Sequence, residues 1–328
     1  MKVLFCSQPF QENKVDETYE YEYTCAKQLG LDIHLISLEQ LIYQDNPLAA
    51  VKQIQPSPEK VMAIYRGWML KPFLYQKLYD ALLAKNIELI NTLEKYVHCH
   101  YLPESYEVIK DFTPLSVWLH KEEIDASFEN VYRIVNNFGQ APIMIKDYVK
   151  SRKHDWNEAC YIPDASDKEK VQQVTSRFLE LQQDELNEGV VFREFVKLQF
   201  LTHHSQSNMP LSQEYRVFFL DGEPMYMANY WEEGQYDDTP PDLQPFLEVA
   251  KKINSRFFTM DIAKLENGSW TILELGDAQV SALPEQADRC EFFTRLKKKF
   301  SIERGISHEN RPGSDEVPPI SGGGACNH

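Results

Sequence analysis

No apolar run in the 328-residue chain approaches the roughly 20 residues that cross a bilayer, which argues against a membrane-spanning role. Glycine is scarce, at 13 residues, and no Gly-x-Gly-x-x-Gly follows the first apolar stretch. Gln8-Pro9-Phe10 stands where that turn would lie, so a dinucleotide-dependent dehydrogenase loses its main support. The glycine triplet at 322–324 has no Lys-Ser/Thr after it and is no phosphate-binding loop. Positive charge is short as well: 34 Lys and Arg face 50 Asp and Glu, a net charge of −16. Such a field opposes nonspecific binding to nucleic acid or anionic lipid, which need a positive surface. The six cysteines are scattered without a Cys-x-x-Cys, which favours a reducing, cytoplasmic setting. His98, Cys99 and His100 adjoin, but strand alternation would send neighbours to opposite faces, and no second ligand pair lies at zinc-site spacing. The N-terminus, MKVLFCSQPFQENK, turns polar at once and reads as a first strand, not a signal peptide.

What is present is periodic. Lys2–Cys6, Ile33–Ile36, Val61–Arg66 and Ile87–Asn91 are strand candidates, separated by helical spacing over Asp16–Leu29 (ending at Gly30) and Leu70–Leu83. Strands alternating with helices predict βαβ units and a largely parallel sheet. From about Leu102 the texture changes. Helical patterns at Tyr106–Lys110, Ile124–Asn136, Lys168–Glu185, Pro245–Asn254 and Ala287–Phe300 mix with strands at Pro142–Tyr148 and Gly189–Val196. Two hairpins are expected, Glu214–Leu220 with Glu223–Tyr230 around Asp221-Gly222, and Phe257–Leu265 with Ser269–Leu275 around Asn267-Gly268. This half reads as α+β with antiparallel sheets. Residues 310–328 are rich in Pro, Gly and Ser and are expected to form a mobile tail.

Four segments of the second half carry chemistry. In PIMIKDYVKSRK, Lys146 lies on an apolar strand, followed by Lys150, Arg152 and Lys153 in a loop. A cation held on a strand in a cleft suits a polyphosphate, because a buried ammonium demands an anionic partner. A salt-bridged strand lysine beside a solvated basic loop is the plainer alternative. In GVVFREFVKL, the backbone after the strand could face an adenine edge, though a core strand is the default. In EYRVFF, Arg216 shares a strand face with Glu214 and Phe218, either paired with Glu214 or clamping a phosphoryl oxygen. The acidic hairpin FTMDIAKL…WTILELGDAQ is the strongest signal, since Asp261 and Glu274 fall at comparable distances from its turn. Near-opposed carboxylates in a dry sheet repel unless a cation lies between them, and oxygen ligands with phosphate are what Mg2+ prefers. Asp277 is a candidate third oxygen donor.

The order PIMIK, REFV, EYRVFFLDG and MDIA…ILELGD resembles the ATP-grasp superfamily in its carboxylate–amine ligase branch. YRGWML, LINTLEKY and LPESYEVI further resemble a poorly characterised bacterial and phage clade of it. The resemblance spans roughly Lys2 to Phe300. It implies an α/β plus α+β fold: a Rossmann-like pre-ATP-grasp domain (1–101), an ATP-grasp domain of two subdomains with ATP between them (102–302), and a tail (303–328). By resemblance Lys146 touches the α- and β-phosphates and Lys110 is the second nucleotide-binding lysine. Glu194 and Val196 serve adenine through their backbones, and Arg216 binds the γ-phosphate and an acyl-phosphate. Asp261 and Glu274 hold two Mg2+ ions, and Arg66 and Trp68 help hold substrate.

Two departures stand out. The loop after the central lysine has no glycine, so Lys150 or Lys153 would contact phosphates by side chain. The usual Glu-x-Asn reads Glu274-Leu275-Gly276, with Asp277 as a possible substitute. The implied activity is ATP- and Mg2+-dependent joining of a carboxylate to an amine of an amino acid, peptide or protein. The alternatives are phosphoryl or nucleotidyl transfer from the same site, or nucleotide binding without catalysis.

Overall fold

The computed structural model describes residues 1–206, 209–237 and 239–309, so the expected tail at 310–328 lies outside the described residues. The first unit is built on β1 (Lys2–Gln8), β2 (Gln11–Val15), β3 (Asp32–Ile36), β4 (Val61–Arg66) and β5 (Ile87–Leu89). β1 pairs in parallel with β3 and β4, and β4 with β5. Val3, Leu4, Phe5 and Cys6 are fully buried, as a parallel strand covered on both faces requires. The expected parallel sheet is therefore present. The Gln8-Pro9-Phe10 turn instead folds β2 back antiparallel on the end of β1. That strand was not expected, because QENKV carries no apolar alternation.

A second unit holds β6 (Ser116–His120), β7 (Ile143–Asp147), β8 (Tyr161–Ile162) and β9 (Gly189–Glu194) in the antiparallel order β6-β9-β7-β8. The helix Lys168–Gln182, capped by Asp167, packs on its back through Val171, Val174 and Phe178. A small hairpin of β10 (Phe200–His203) and β11 (Pro210–Ser212) leads to the third sheet. There β12 (Glu214–Leu220), β13 (Glu223–Asn229), β14 (Phe257–Lys264) and β15 (Trp270–Asp277) run in the order β13-β12-β14-β15. Both expected hairpins are formed. At the first turn Asp221 and Gly222 both take left-handed backbone, φ 51° and 76°, while at the second Gly268 does so, φ 86°.

The helix Arg289–Glu309, expected to close the second half, packs across both halves. Phe292, Phe293 and Leu296 join one core with Phe5, Tyr65 and Leu78 of the first unit and with Phe218 and Phe257 of the third sheet. Cys25 and Cys290, 265 residues apart, are joined as a disulfide between this helix and Glu20–Gln28. Nothing in the cysteine spacing announces this pair, and it stands against the reducing setting read from that spacing. His98, Cys99 and His100 lie on the helix Leu93–His100, not on a strand. No helix among the described residues is long and apolar enough to cross a membrane.

Candidate functional site

One rung of the third sheet carries three charges. Arg216 on β12 sits opposite Asp261 on β14, and Asp261 sits opposite Glu274 on β15. Beyond Asp261 the register shifts, with Ile262 opposite Ile272, so Leu273 is the extra residue of a β-bulge. The bulge brings the two carboxylates level. Arg216 grips Asp261 bidentately, Nε to Oδ1 at 2.8 Å and Nη2 to Oδ2 at 2.7 Å. Its third donor, Nη1, reaches the Ala282 carbonyl at 2.9 Å, and its guanidinium lies 4.9 Å from the Tyr230 ring centre. Burial alone would lower the Arg216 guanidinium, but Asp261 holds it above the usual range. Burial raises the Asp261 carboxyl against the pull of Arg216.

The second sheet meets this rung at the free edge of β15. Lys146 on β7 is buried and its Nζ lies 3.2 Å from Glu274 Oε1. Glu274 keeps 43% of its side-chain surface accessible while protein charges crowd it, as befits a group in a cleft wall. Burial would raise its carboxyl, yet Lys146 and then Lys153 and Arg216 hold it below the ordinary value. Lys153 is exposed, but its charge also acts on Asp261 and Glu214. Lys150 is exposed, and its backbone N–H donates to Asp147 Oδ1. Asp147 is fully buried and also accepts from Val149 N–H, Gln182 and Asn187, pinning the loop that follows Lys146 without any glycine.

Two residues beside the rung were given no role in the sequence reading, Arg193 because it was not singled out and His100 because it was weighed only as a metal ligand. Arg193, on β9 opposite Met144, is buried and donates to the Leu273 and Ile272 carbonyls and to Thr113 Oγ1, satisfying the edge of β15 beside Glu274. Burial pushes its guanidinium down to about 10, and its Nε has no partner. An arginine inside GVVFREFV is the signal that should have marked it. His100 lines a small hollow beside the rung with Cys99, Leu102, Ser105, Lys146 and Glu274. Burial pushes its imidazole down to about 4.

Other expected residues lie elsewhere. Asp277 is one step out of phase with Glu274 along β15, so it faces the other side of the sheet. There it accepts from Asn91 at 2.7 Å and from the Gln279 N–H at 2.8 Å, and burial raises its carboxyl to about 7. The geometry corrects its assignment as a partner of Asp261 and Glu274. Arg66 is fully buried, bound to both oxygens of Glu22 at 2.8 Å and to the Ala278 and Ser281 carbonyls. With none of its side-chain surface accessible it has no face for substrate, a second correction. Lys110 turns outward to Glu107 at 2.8 Å, a third. Trp68 is 49% exposed at the end of β4, its indole N–H donating to Asp16. Glu214 bonds the Ser212 hydroxyl instead of Arg216, and burial raises its carboxyl. After β9, the Glu194 N–H goes to the Leu115 carbonyl and the Phe195 N–H to Pro142.

The donor set fits magnesium: two carboxylates on paired strands, hard oxygen ligands, beside fixed cations suited to phosphate. Comparisons with known proteins agree in fold. Residues 137–296 match the family model described as ATP-grasp domain, R2K clade family 3. Among solved structures, D-alanine–D-alanine ligase from Bacillus anthracis complexed with ATP aligns at 13% identity and TM-score 0.53, over 93% of this chain and 99% of that one. The ATP-grasp ligase PsnB, complexed with minimal precursor, Mg and ADP, aligns at 12% identity and TM-score 0.51, over 90% and 98%. A RimK-domain ATP-grasp protein from Sphaerobacter thermophilus aligns at 10% identity and TM-score 0.51, over 86% and 92%. No curated protein sequence matches the chain.

Proposed function

We propose that this chain, which has the ATP-grasp fold, is a ligase that uses ATP and Mg2+ to join a carboxylate to an amine. The observation that carries the reading is the meeting of Lys146 with the Arg216–Asp261–Glu274 rung across the junction of two sheets. Three cations (Lys146, Lys153, Arg216) and two cleft carboxylates make a lining suited to a triphosphate with its metal.

In this reading Lys146 holds the α- and β-phosphates, and Lys150 and Lys153 reach phosphate oxygens by side chain. The Glu194 carbonyl accepts from the adenine amine and the Val196 N–H donates to a ring nitrogen. Magnesium held by Asp261 and Glu274 would screen the charge on the phosphate oxygens. A carboxylate oxygen of the substrate attacks the γ-phosphorus, the bond to the β–γ bridging oxygen breaks, and ADP leaves. Arg216 holds the transferred group in this reading. The amine lone pair then attacks the acyl carbon, phosphate departs, and the amine proton passes to solvent. The chain's own part is positioning and charge compensation. Trp68 remains a substrate contact. Substrates are amino acids, peptides or proteins bearing these groups, in keeping with the precursor in the PsnB complex.

The test is ADP release across a panel of amino acids and peptides, including the protein itself, with mass spectrometry of the product. Turnover should require both a carboxylate and an amine, and the product should lose one water from their sum. Glu274→Ala should cut it by about 10²–10³-fold with the fold intact by circular dichroism. AMP as product would give nucleotidyl transfer instead, amine-independent ADP would give phosphoryl transfer, and nucleotide binding without turnover would leave a scaffold.

A further inference from the structure

The magnesium site proposed above has two carboxylates but lacks a third protein oxygen in sequence, because the next same-face position after Glu274 is Gly276. The structure shows what stands there. Gly276 lies opposite Thr259, and Thr259 is two residues before Asp261 on β14, so Thr259, Asp261, Glu274 and Gly276 share one face. A Cβ on Gly276 would fall 2.8 Å from Ser281 Oγ and 2.9 Å from Thr259 Oγ1. The two hydroxyls therefore occupy the space that a side chain at 276 would take. They are 2.8 Å from each other. Ser281 Oγ also donates to the Asp277 carbonyl at 2.9 Å, while Thr259 Oγ1 has only a long 3.4 Å contact to the Gly276 carbonyl.

A hydroxyl has one proton and two lone pairs. With the Ser281 proton on the Asp277 carbonyl, Thr259 is the donor within the pair and both of its lone pairs stay available. Thr259 is 2% exposed, so those lone pairs are cut off from bulk water. Neutral oxygens also suit the charge balance. A third carboxylate on this face would add to the mutual repulsion of Asp261 and Glu274. Asp277, the other oxygen donor near the turn, belongs to the opposite face and to Asn91.

We propose that the paired hydroxyls of Thr259 and Ser281 supply the remaining protein oxygens of the metal site that Asp261 and Glu274 begin. This rests on the ATP and Mg2+ reading of the cleft. Gly276 is then required because any side chain would displace the pair.

The experiment titrates Mn2+ into the full-length protein saturated with a non-hydrolysable ATP analogue, followed by electron paramagnetic resonance. Analogue affinity is measured separately in metal-free buffer. Thr259→Val and Ser281→Ala should each weaken Mn2+ by about 10- to 100-fold while metal-free analogue affinity stays constant. Thr259→Ser should restore Mn2+ binding. Ser281 is the more exposed site, so Ser281→Ala keeps the test valid should Thr259→Val misfold. Mn2+ affinity within twofold of wild type in Ser281→Ala and in any folded Thr259→Val overturns the hydroxyl assignment alone. A wild-type protein that binds neither analogue nor Mn2+ overturns the underlying reading of the cleft instead.

Discussion

Two charged regions of this molecule are made from the same residue types and differ in what is left over. In the hub between the first unit and the end of β15, Arg66 is taken up by Glu22 and backbone carbonyls, and Asp277 by Asn91 and Gln279. In the cleft, Arg216–Asp261 and Lys146–Glu274 pair side chain to side chain, and Glu274 keeps open surface. An arginine and a carboxylate that look alike in sequence are thus sealed in one place, with Arg66 at 0% accessible, and partly open in the other, with Arg216 at 14% beside Glu274 at 43%. Accessibility, not charge, separates the two regions.

Mg2+ rescue probes that contrast most strongly. Arg66→Met strands the buried Glu22 carboxylate and two carbonyls, and should lower the unfolding free energy by about 3–5 kcal/mol in urea melts. Added Mg2+ should return none of it. Arg216→Met strands Asp261 in the same way, but if Asp261 and Glu274 hold Mg2+ as proposed, the ion would take the place of the guanidinium, so millimolar Mg2+ should recover much of that loss. Equal rescue of both variants, or of neither, would erase the distinction between hub and cleft.

A smaller effect tests the seam between the regions. His100 lines the hollow beside the rung and stacks on Tyr96, which stacks on Tyr75, whose hydroxyl accepts from Gln279 in the hub. Burial depresses its folded pKa to about 4, against an unfolded value near 6.5. For a base depressed in this way, the stability is fully present above pH 6.5 and is lost as pH falls from 6.5 towards 4. The loss should be roughly 3 kcal/mol. His100→Gln should flatten that part of the pH–stability curve. An unchanged curve would place the acid sensitivity elsewhere. The smallest effect belongs to Lys110→Ala, which should leave both melting temperature and ADP release unchanged, because its ammonium meets only Glu107 at the surface.

The sequence was most readable where periodicity and turn chemistry act locally. KVLFC, the Asp-Gly and Asn-Gly hairpins and the strand PIMIK all form as their patterns imply. Ile124–Asn136 shortened to the helix Glu129–Val135 because Phe128 takes a left-handed backbone, φ 58°, which no local pattern foretells. In the site, counting outward from the Asn267-Gly268 turn set Asp261 level with Glu274, as they are, while same-face alternation grouped Arg216 with Glu214 and Phe218 and did not foresee its pairing with Asp261. Alternation was not applied to Asp277, where counting one more residue along β15 would have put it on the far face. Arg66 and Arg193 were misjudged or missed because, beside Glu22 in one case and Thr113 in the other, their partners include backbone carbonyls, Ala278 and Ser281 for the first and Ile272 and Leu273 for the second. Carbonyls leave no trace in residue identity. The Cys25–Cys290 link was hidden for a similar reason, since the two cysteines meet only when the first and last helices pack together.

That packing also bears on how the chain is made. The core of the first sheet includes Phe292, Phe293 and Leu296, which leave the ribosome some 200 residues after β5. The N-terminal unit therefore emerges with one flank of its interior uncovered and must wait, half-finished, for the helix Arg289–Glu309 to seal it. A truncation that removes the closing helix would expose Phe5 and Tyr65 along with the rest of that flank. Nascent chains stalled before residue 290 should engage holding chaperones far more than chains that include the helix Arg289–Glu309.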